Sequence, residues 1–204
     1  MSTPATGLVL VGGAGRRMGG GCKALIELAG RSLIDWVRDA IAPLVEEVLI
    51  VGAGPQELDR RGRRVLDQRP GLGPLAGLEA GLSAATTPAI LTVACDMPQL
   101  SPRLLSFQLS VFEGASVVLR RQGRAEPLHA VYPRELLPEI SKRLDEGDLS
   151  LRGLIEGIPV RWVDEDEADR FDPARHSSRN VNTREDLEKV ALELAKDGGN
   201  RGPR

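Results

Sequence analysis

An apolar run, Leu8 to Val11, passes directly into six glycines spread between Gly12 and Gly21, interrupted by Arg16, Arg17 and Met18 and closed by Lys23. The run is short enough, and apolar enough, to be a buried strand. Glycine lets a backbone approach another group closely, and successive free N–H groups form a cradle for an anion. Two arginines and a lysine in that cradle suit the oxygens of a polyphosphate. A flexible loop with solvated charges is the plainer reading. Its position straight after a first buried strand, where open α/β sheets take ligands, favours phosphate binding.

Two familiar loops do not fit. A Walker A loop needs a hydroxyl after its lysine, and this chain reads Cys22-Lys23-Ala24. In the dinucleotide fingerprint, Gly13 and Gly15 match but Met18 stands at the third glycine. Asp35, about twenty residues on, could stand for the ribose-binding acid of that fingerprint. It falls inside an amphipathic helix begun by Ser32, so it reads as solvated surface.

The remaining segments alternate between strand and helix. A helix with Leu33, Val37, Ile41 and Leu44 on one face precedes a strand from Glu47 to Val51. Gly52-Ala53-Gly54-Pro55 follows as a turn that either reads a base through its backbone or simply reverses the chain. Arg63 to Leu66 is a short strand leading to Asp67, and a small-residue helix begins after Gly73-Pro74. Ala76, Gly77, Ala80 and Gly81 would let it lie close on a sheet. Ala89 to Ala94 is apolar enough for the middle of a parallel sheet. It ends in Cys95-Asp96-Met97-Pro98, which puts a carboxylate at the strand's carboxyl end. A hard divalent ion needs few protein oxygens there, so Asp96 is the expected Mg²⁺ ligand. Ser101 caps a helix from Pro102 to Phe112. Ala115–Arg121 and Glu126–Tyr132 read as an antiparallel pair, with Glu126 and Pro127 placed towards an acceptor and His129 packed rather than catalytic. Helices over Tyr132–Leu144 and Asp148–Ile155, a strand over Pro159–Val163, a solvated acidic loop DEDEADRFD and a last helix capped by Thr183 complete the pattern. Asn180 and Asn182 sit just before that cap, either as turn residues or as paired amides facing a ligand.

Leu10, Gly12, Gly13, Arg17, Met18, Gly19 and Lys23, then G-P-L-A-G-L, C-D-M-P and N-V-N-T, occur in order over nearly the whole chain. Together they resemble the molybdenum cofactor guanylyltransferases of the nucleotidyltransferase superfamily. The resemblance implies GMP transfer from GTP to the molybdopterin cofactor with release of pyrophosphate. It implies that Leu10, Val11, Gly12, Gly13, Lys23, Asp67 and Asp96 hold the nucleotide and that Asp96 holds Mg²⁺. Arg17, Lys23 and Asp96 are the expected catalytic residues, and Asn180 and Asn182 the expected pterin contacts. The loop departs from the family in having Cys22 before its lysine, and the asparagine expected near guanine is replaced around Gly52. Cytidylyl transfer to the same cofactor and a silent binding module are the rival readings.

The expected architecture is one Rossmann-like α/β domain over residues 1–196, a mostly parallel sheet with helices on both faces. A tail over 197–204 is expected to be disordered. A chain of 204 residues, with 27 basic and 29 acidic side chains and a net charge of −2, does not have the balance of a nucleic-acid or anionic-membrane binder. Two cysteines match no zinc spacing, and no apolar run reaches membrane-spanning length. A cytoplasmic, reduced setting is expected, with transient contacts to cofactor-donating and cofactor-receiving proteins.

Overall fold

The computed structural model describes residues 3–12 and 21–198. In chain order the elements are β1 (Ala5–Leu10), β2 (Glu27–Leu28), β3 (Arg31–Ser32), α1 (Leu33–Ile41), β4 (Glu47–Val51), β5 (Arg63–Val65), α2 (Pro74–Ala84), β6 (Ala89–Ala94), α3 (Pro102–Ser110) and β7 (Ser116–Arg121). There follow β8 (Arg124–Pro133), α4 (Leu137–Asp145), α5 (Leu151–Glu156), β9 (Val160–Val163), α6 (Glu165–Ala168) and α7 (Arg184–Gly198). Seven strands form one sheet in the order β5-β4-β1-β6-β8-β7-β9. β8 alone runs against its neighbours, and the other pairings are parallel. The chain steps outward from β1 to β4 and β5, then returns to lay β6 on the other side of β1. The sheet therefore switches direction of travel between β1 and β6, where an open α/β sheet leaves a crevice at the strands' carboxyl ends.

β1 and β6 are buried along their whole length. Alternation of side chains divides them between two cores. Val9, Leu91 and Val93 meet α1 and α3 on one face. Leu8, Leu10 and Ile90 meet α2, α4 and α5 on the other. That double cover is the expected helix-on-both-faces architecture. α1 begins at Ser32, whose Oγ accepts the Asp35 N–H, and it buries Leu33, Ile34, Val37 and Ile41. Each such side chain contributes about 1.5–3 kcal/mol on burial. Leu44 falls beyond α1, in a 3-10 turn over Ala42–Leu44.

α2 lies closer on the sheet than side chains normally allow. A Cβ on Gly81 would come within 2.4 Å of Leu8 Cδ2, and one on Gly77 within 2.9 Å of Leu10 Cδ2. Alanine is the better helix former by up to about 1 kcal/mol, but Leu8 is fully buried and has no room to yield. We therefore expect Gly81→Ala to lower stability by about 1–2 kcal/mol, seen as a fall in Tm of roughly 2–8 °C. An unchanged or higher Tm would mean that Leu8 repacks freely.

Three local expectations are corrected. Asp35 is not merely solvated: it accepts from Arg61 Nε at 2.9 Å and Nη2 at 3.1 Å, and that guanidinium holds its carboxyl below the usual range. The stretch from Tyr132 does not start as a helix. Pairing with β6 extends β8 to Pro133, opposite Ala89, and α4 begins at Leu137. The acidic run is not a free loop. It contains α6, and its carboxylates meet arginines of β7 and β9. Arg120 binds Asp164 at 2.6 Å, Arg161 binds Glu167, and Arg121 binds Asp169 and, at 3.0 Å, Asp172. Arg121 and Asp172 are both buried, where an unpaired charge would be costly. Among the described residues, no helix is long and apolar enough to cross a membrane.

Candidate active site

The carboxyl ends of β1, β4, β5 and β6 surround a crevice of about 960 Å³. Leu10, Val11 and Gly12 leave β1 along its floor, Asp67 enters from beyond β5, and Asp96 enters from beyond β6. Lys23, at the start of a 3-10 turn over Lys23–Leu25, reaches across to Asp96. Backbone pairing continues past the strands: Val11 N–H donates to Val51 O at 2.8 Å, and Cys95 N–H to Leu10 O at 3.1 Å. These bonds tie the floor and both walls to one rigid sheet.

At the centre, Lys23 Nζ donates to Asp96 Oδ2 at 2.5 Å and to Asn182 Oδ1 at 2.7 Å. Asp96 Oδ1 is buried and has no hydrogen-bond partner. A buried carboxylate oxygen left open in this way calls for a ligand. It suits a hard divalent cation that takes most of its shell from phosphate oxygens and water. Among the described residues, no three His, Cys, Asp or Glu side chains gather into a self-sufficient metal site.

The asparagine segment is held firmly although it forms no strand. Val181 N–H donates to Asp96 O at 2.9 Å, and the Val181 side chain is buried with Leu28, Leu33 and Val190. Asp186 accepts the N–H groups of Asn182 and Thr183 at 2.9 and 2.8 Å, while Thr183 Oγ1 accepts the Asp186 N–H at 3.1 Å. This is the expected cap of α7. Further back, Ser177 is fixed by its N–H to Asp172 and by its Oγ to His129 Nε2 at 2.7 Å. His129 is wholly buried, and burial lowers its pKa to about 4. It is a neutral packing residue, as its sequence neighbours suggest.

Asn180 lines the crevice, and Asn182 reaches Lys23. Asn182, expected as a pterin contact, thus also touches the lysine that closes the glycine-rich loop. Gly13 and Arg17 lie outside the described residues. Asp67 Oδ1 accepts the Arg69 N–H at 2.8 Å, which orients the carboxylate beside the crevice. Cys95 is buried with its thiol pushed up to about 12 by desolvation, so it packs and does not attack. Glu126 and Pro127, expected towards an acceptor, are not among the residues that line the crevice, and β8 bulges here between its pairings of Ala130 with Val118 and Glu126 with Leu119. Pro127, which has no N–H to donate, falls in that interval, and its carbonyl accepts from Tyr132 Oη at 2.8 Å. Burial pushes the Glu126 carboxyl above its usual range. Leu66 and Leu128, which periodicity did not single out, also line the crevice.

A lysine and a carboxylate at the switch point of such a sheet, in a sequence whose glycine-rich segment follows β1, define a nucleotide-handling α/β protein. A family model described as the MobA-like NTP transferase domain matches residues 7–166. A molybdenum cofactor guanylyltransferase from Desulfosudis oleivorans is 34% identical over 190 residues, covering 91% of this chain and 93% of that protein. Another from Cereibacter sphaeroides is 34% identical over 199 residues, covering 94% and 97%. The molybdopterin-guanine dinucleotide biosynthesis protein A of Archaeoglobus fulgidus shares the fold, with a TM-score of 0.79 at 24% identity over 94% of this chain and 99% of that one. The chain belongs to the MobA-like NTP transferase family.

Proposed function

We propose that this nucleotidyltransferase moves GMP from GTP to the terminal phosphate of the molybdopterin cofactor. An oxygen of that phosphate forms a bond to the α-phosphorus of GTP, the bond from that phosphorus to the β-phosphate oxygen breaks, and pyrophosphate leaves. The nucleophile is already anionic, so neither a covalent intermediate nor a strong base is needed. The work left to the protein is alignment and charge neutralisation. Lys23 holds triphosphate oxygens, with Arg17 assigned the same role by its place in the loop. Gly12, Gly13 and the adjoining Leu10 and Val11 backbone cradle the nucleotide, and Asp67 orients it. Asn180 and Asn182 hold the pterin. Asp96 would hold Mg²⁺ through its open Oδ1. Bound there, the ion would neutralise phosphate charge.

The observation that carries this reading is the meeting of Lys23, Asp96 and Asn182 at the crevice centre, in a chain similar to proteins named guanylyltransferases. The test is to incubate the purified protein with each nucleoside triphosphate, Mg²⁺ and the pterin cofactor, then weigh the product. GTP should be used at least tenfold more efficiently than CTP, about 1.4 kcal/mol of discrimination. Equal use, or a preference for CTP, would overturn the choice of base. Pyrophosphate release with none of the four would leave a binding module.

A further inference from the structure

The turn Gly52-Ala53-Gly54-Pro55 lines the crevice beyond β4. Gly52 has φ of +123°, and a Cβ there would fall 2.0 Å from Val11 O, so the turn is pressed against the chain leaving β1. From the other side comes Arg64 of β5. Its Nη2 donates to Gly52 O at 2.7 Å and its Nη1 to Pro55 O at 3.3 Å. Only 14% of this side chain is exposed, and its sole carboxylate neighbour among the described residues, Asp59, stands 3.7 Å away. A guanidinium so little exposed, and spent on two main-chain oxygens, is holding a shape. Among the described hydrogen bonds, the peptide N–H of Ala53 and both peptide groups of Gly54 are unused.

We propose that Arg64 determines nucleotide discrimination by fixing the orientation of the Gly52–Ala53 peptide. This rests on the reading that the crevice takes GTP. The oxygen that Arg64 binds and the Ala53 N–H belong to one trans peptide, so they point in opposite directions. Anchoring Gly52 O turns the Ala53 N–H away from Arg64, on a turn that borders the ligand. Guanine presents an acceptor, O6, where cytosine presents an amino donor, N4. A fixed N–H therefore donates to the first and is mismatched against the second. Without that anchor the peptide, which follows a glycine, would turn over more readily and offer its carbonyl instead, serving either base. Arg64 donates only to main-chain oxygens of the turn among the described hydrogen bonds; it is a positioning residue.

Arg64→Met removes both donors at similar length, and Arg64→Lys keeps a single ammonium that reaches one carbonyl. We would measure kcat and KM for GTP and CTP in the wild type and both variants, with tripolyphosphate inhibition to report on the phosphate end. Wild-type protein should prefer GTP at least tenfold. In Arg64→Met that ratio should shrink to about threefold or less, through a higher KM for GTP at little changed kcat and unchanged tripolyphosphate inhibition. Arg64→Lys should fall between, and a thermal melt of each variant confirms folding. If the wild type discriminates and folded Arg64→Lys and Arg64→Met retain its ratio, or lose both nucleotides equally, the inference is wrong. If the wild type itself does not discriminate, the GTP reading beneath it has failed.

Discussion

Asp96→Asn is expected to leave the protein folded and to cut turnover by about two orders of magnitude or more, some 2.7 kcal/mol of transition-state stabilisation. The fold should survive because the bond tying this position to the asparagine segment uses the main chain: Val181 N–H donates to Asp96 O. The amide is also isosteric and keeps one oxygen for Lys23. What it loses is the charge beside the open Oδ1, the atom left without a partner in the protein. Steady-state turnover over a magnesium series, with a melt to confirm folding, tests this. Near-normal turnover at saturating magnesium would place any ion elsewhere.

Lys23→Ala should be of similar severity, and its interaction with Asn182→Ala should be strong. Lys23 Nζ is shared between the Asp96 carboxylate and the Asn182 amide. Removing the lysine withdraws the proposed phosphate ligand and leaves a mostly buried carboxylate uncompensated, so a loss of roughly a hundredfold or more in GTP turnover is expected. Asn182→Ala should cost the pterin about five- to a hundredfold in affinity, the worth of lost amide hydrogen bonds. Because the same amide steadies Lys23, GTP turnover should also fall, by about tenfold. In the double variant the two losses in GTP turnover should not add, since Asn182 acts on that step through a lysine already gone. Additive losses, or an Asn182→Ala variant with wild-type GTP kinetics, would mean that the bond to Lys23 does not matter to the reaction.

Those two residues also mark where the sequence could be read and where it could not. β4 and β6 match their expected limits, because a run of consecutive apolar residues flanked by turn formers is a local signal. The caps at Ser32 and Thr183 are local in the same way, with partners three residues on. Lys23 and Asn182 were each singled out, but their meeting joins positions 159 residues apart, and nothing in either neighbourhood encodes it. The acidic run was misread for the same reason. Its partners Arg120 and Arg121 lie on a strand that only the sheet brings near, 44 and 48 residues away in sequence, whereas Arg161, six residues from Glu167, is a local partner. Arg64 is an unremarkable arginine in an edge strand until the turn it binds is in place.

The reversal of β8 separates two kinds of evolutionary freedom. The other strands all end at one edge of the sheet, and β1, β4, β5 and β6 deliver their carboxyl ends to the crevice, so lengthening a connection there disturbs its lining. The β7–β8 turn at Gln122-Gly123 opens at that same edge, yet it is a tight hairpin joined to strands on the far side of β6. Residues inserted into it would extend the sheet edge beside β8, whose Leu128 lines the crevice, and leave β1, β4 and β5 untouched. Chain length can thus vary on the β8 side of that edge without moving the strands that lead to Gly12, Gly52 and Asp96.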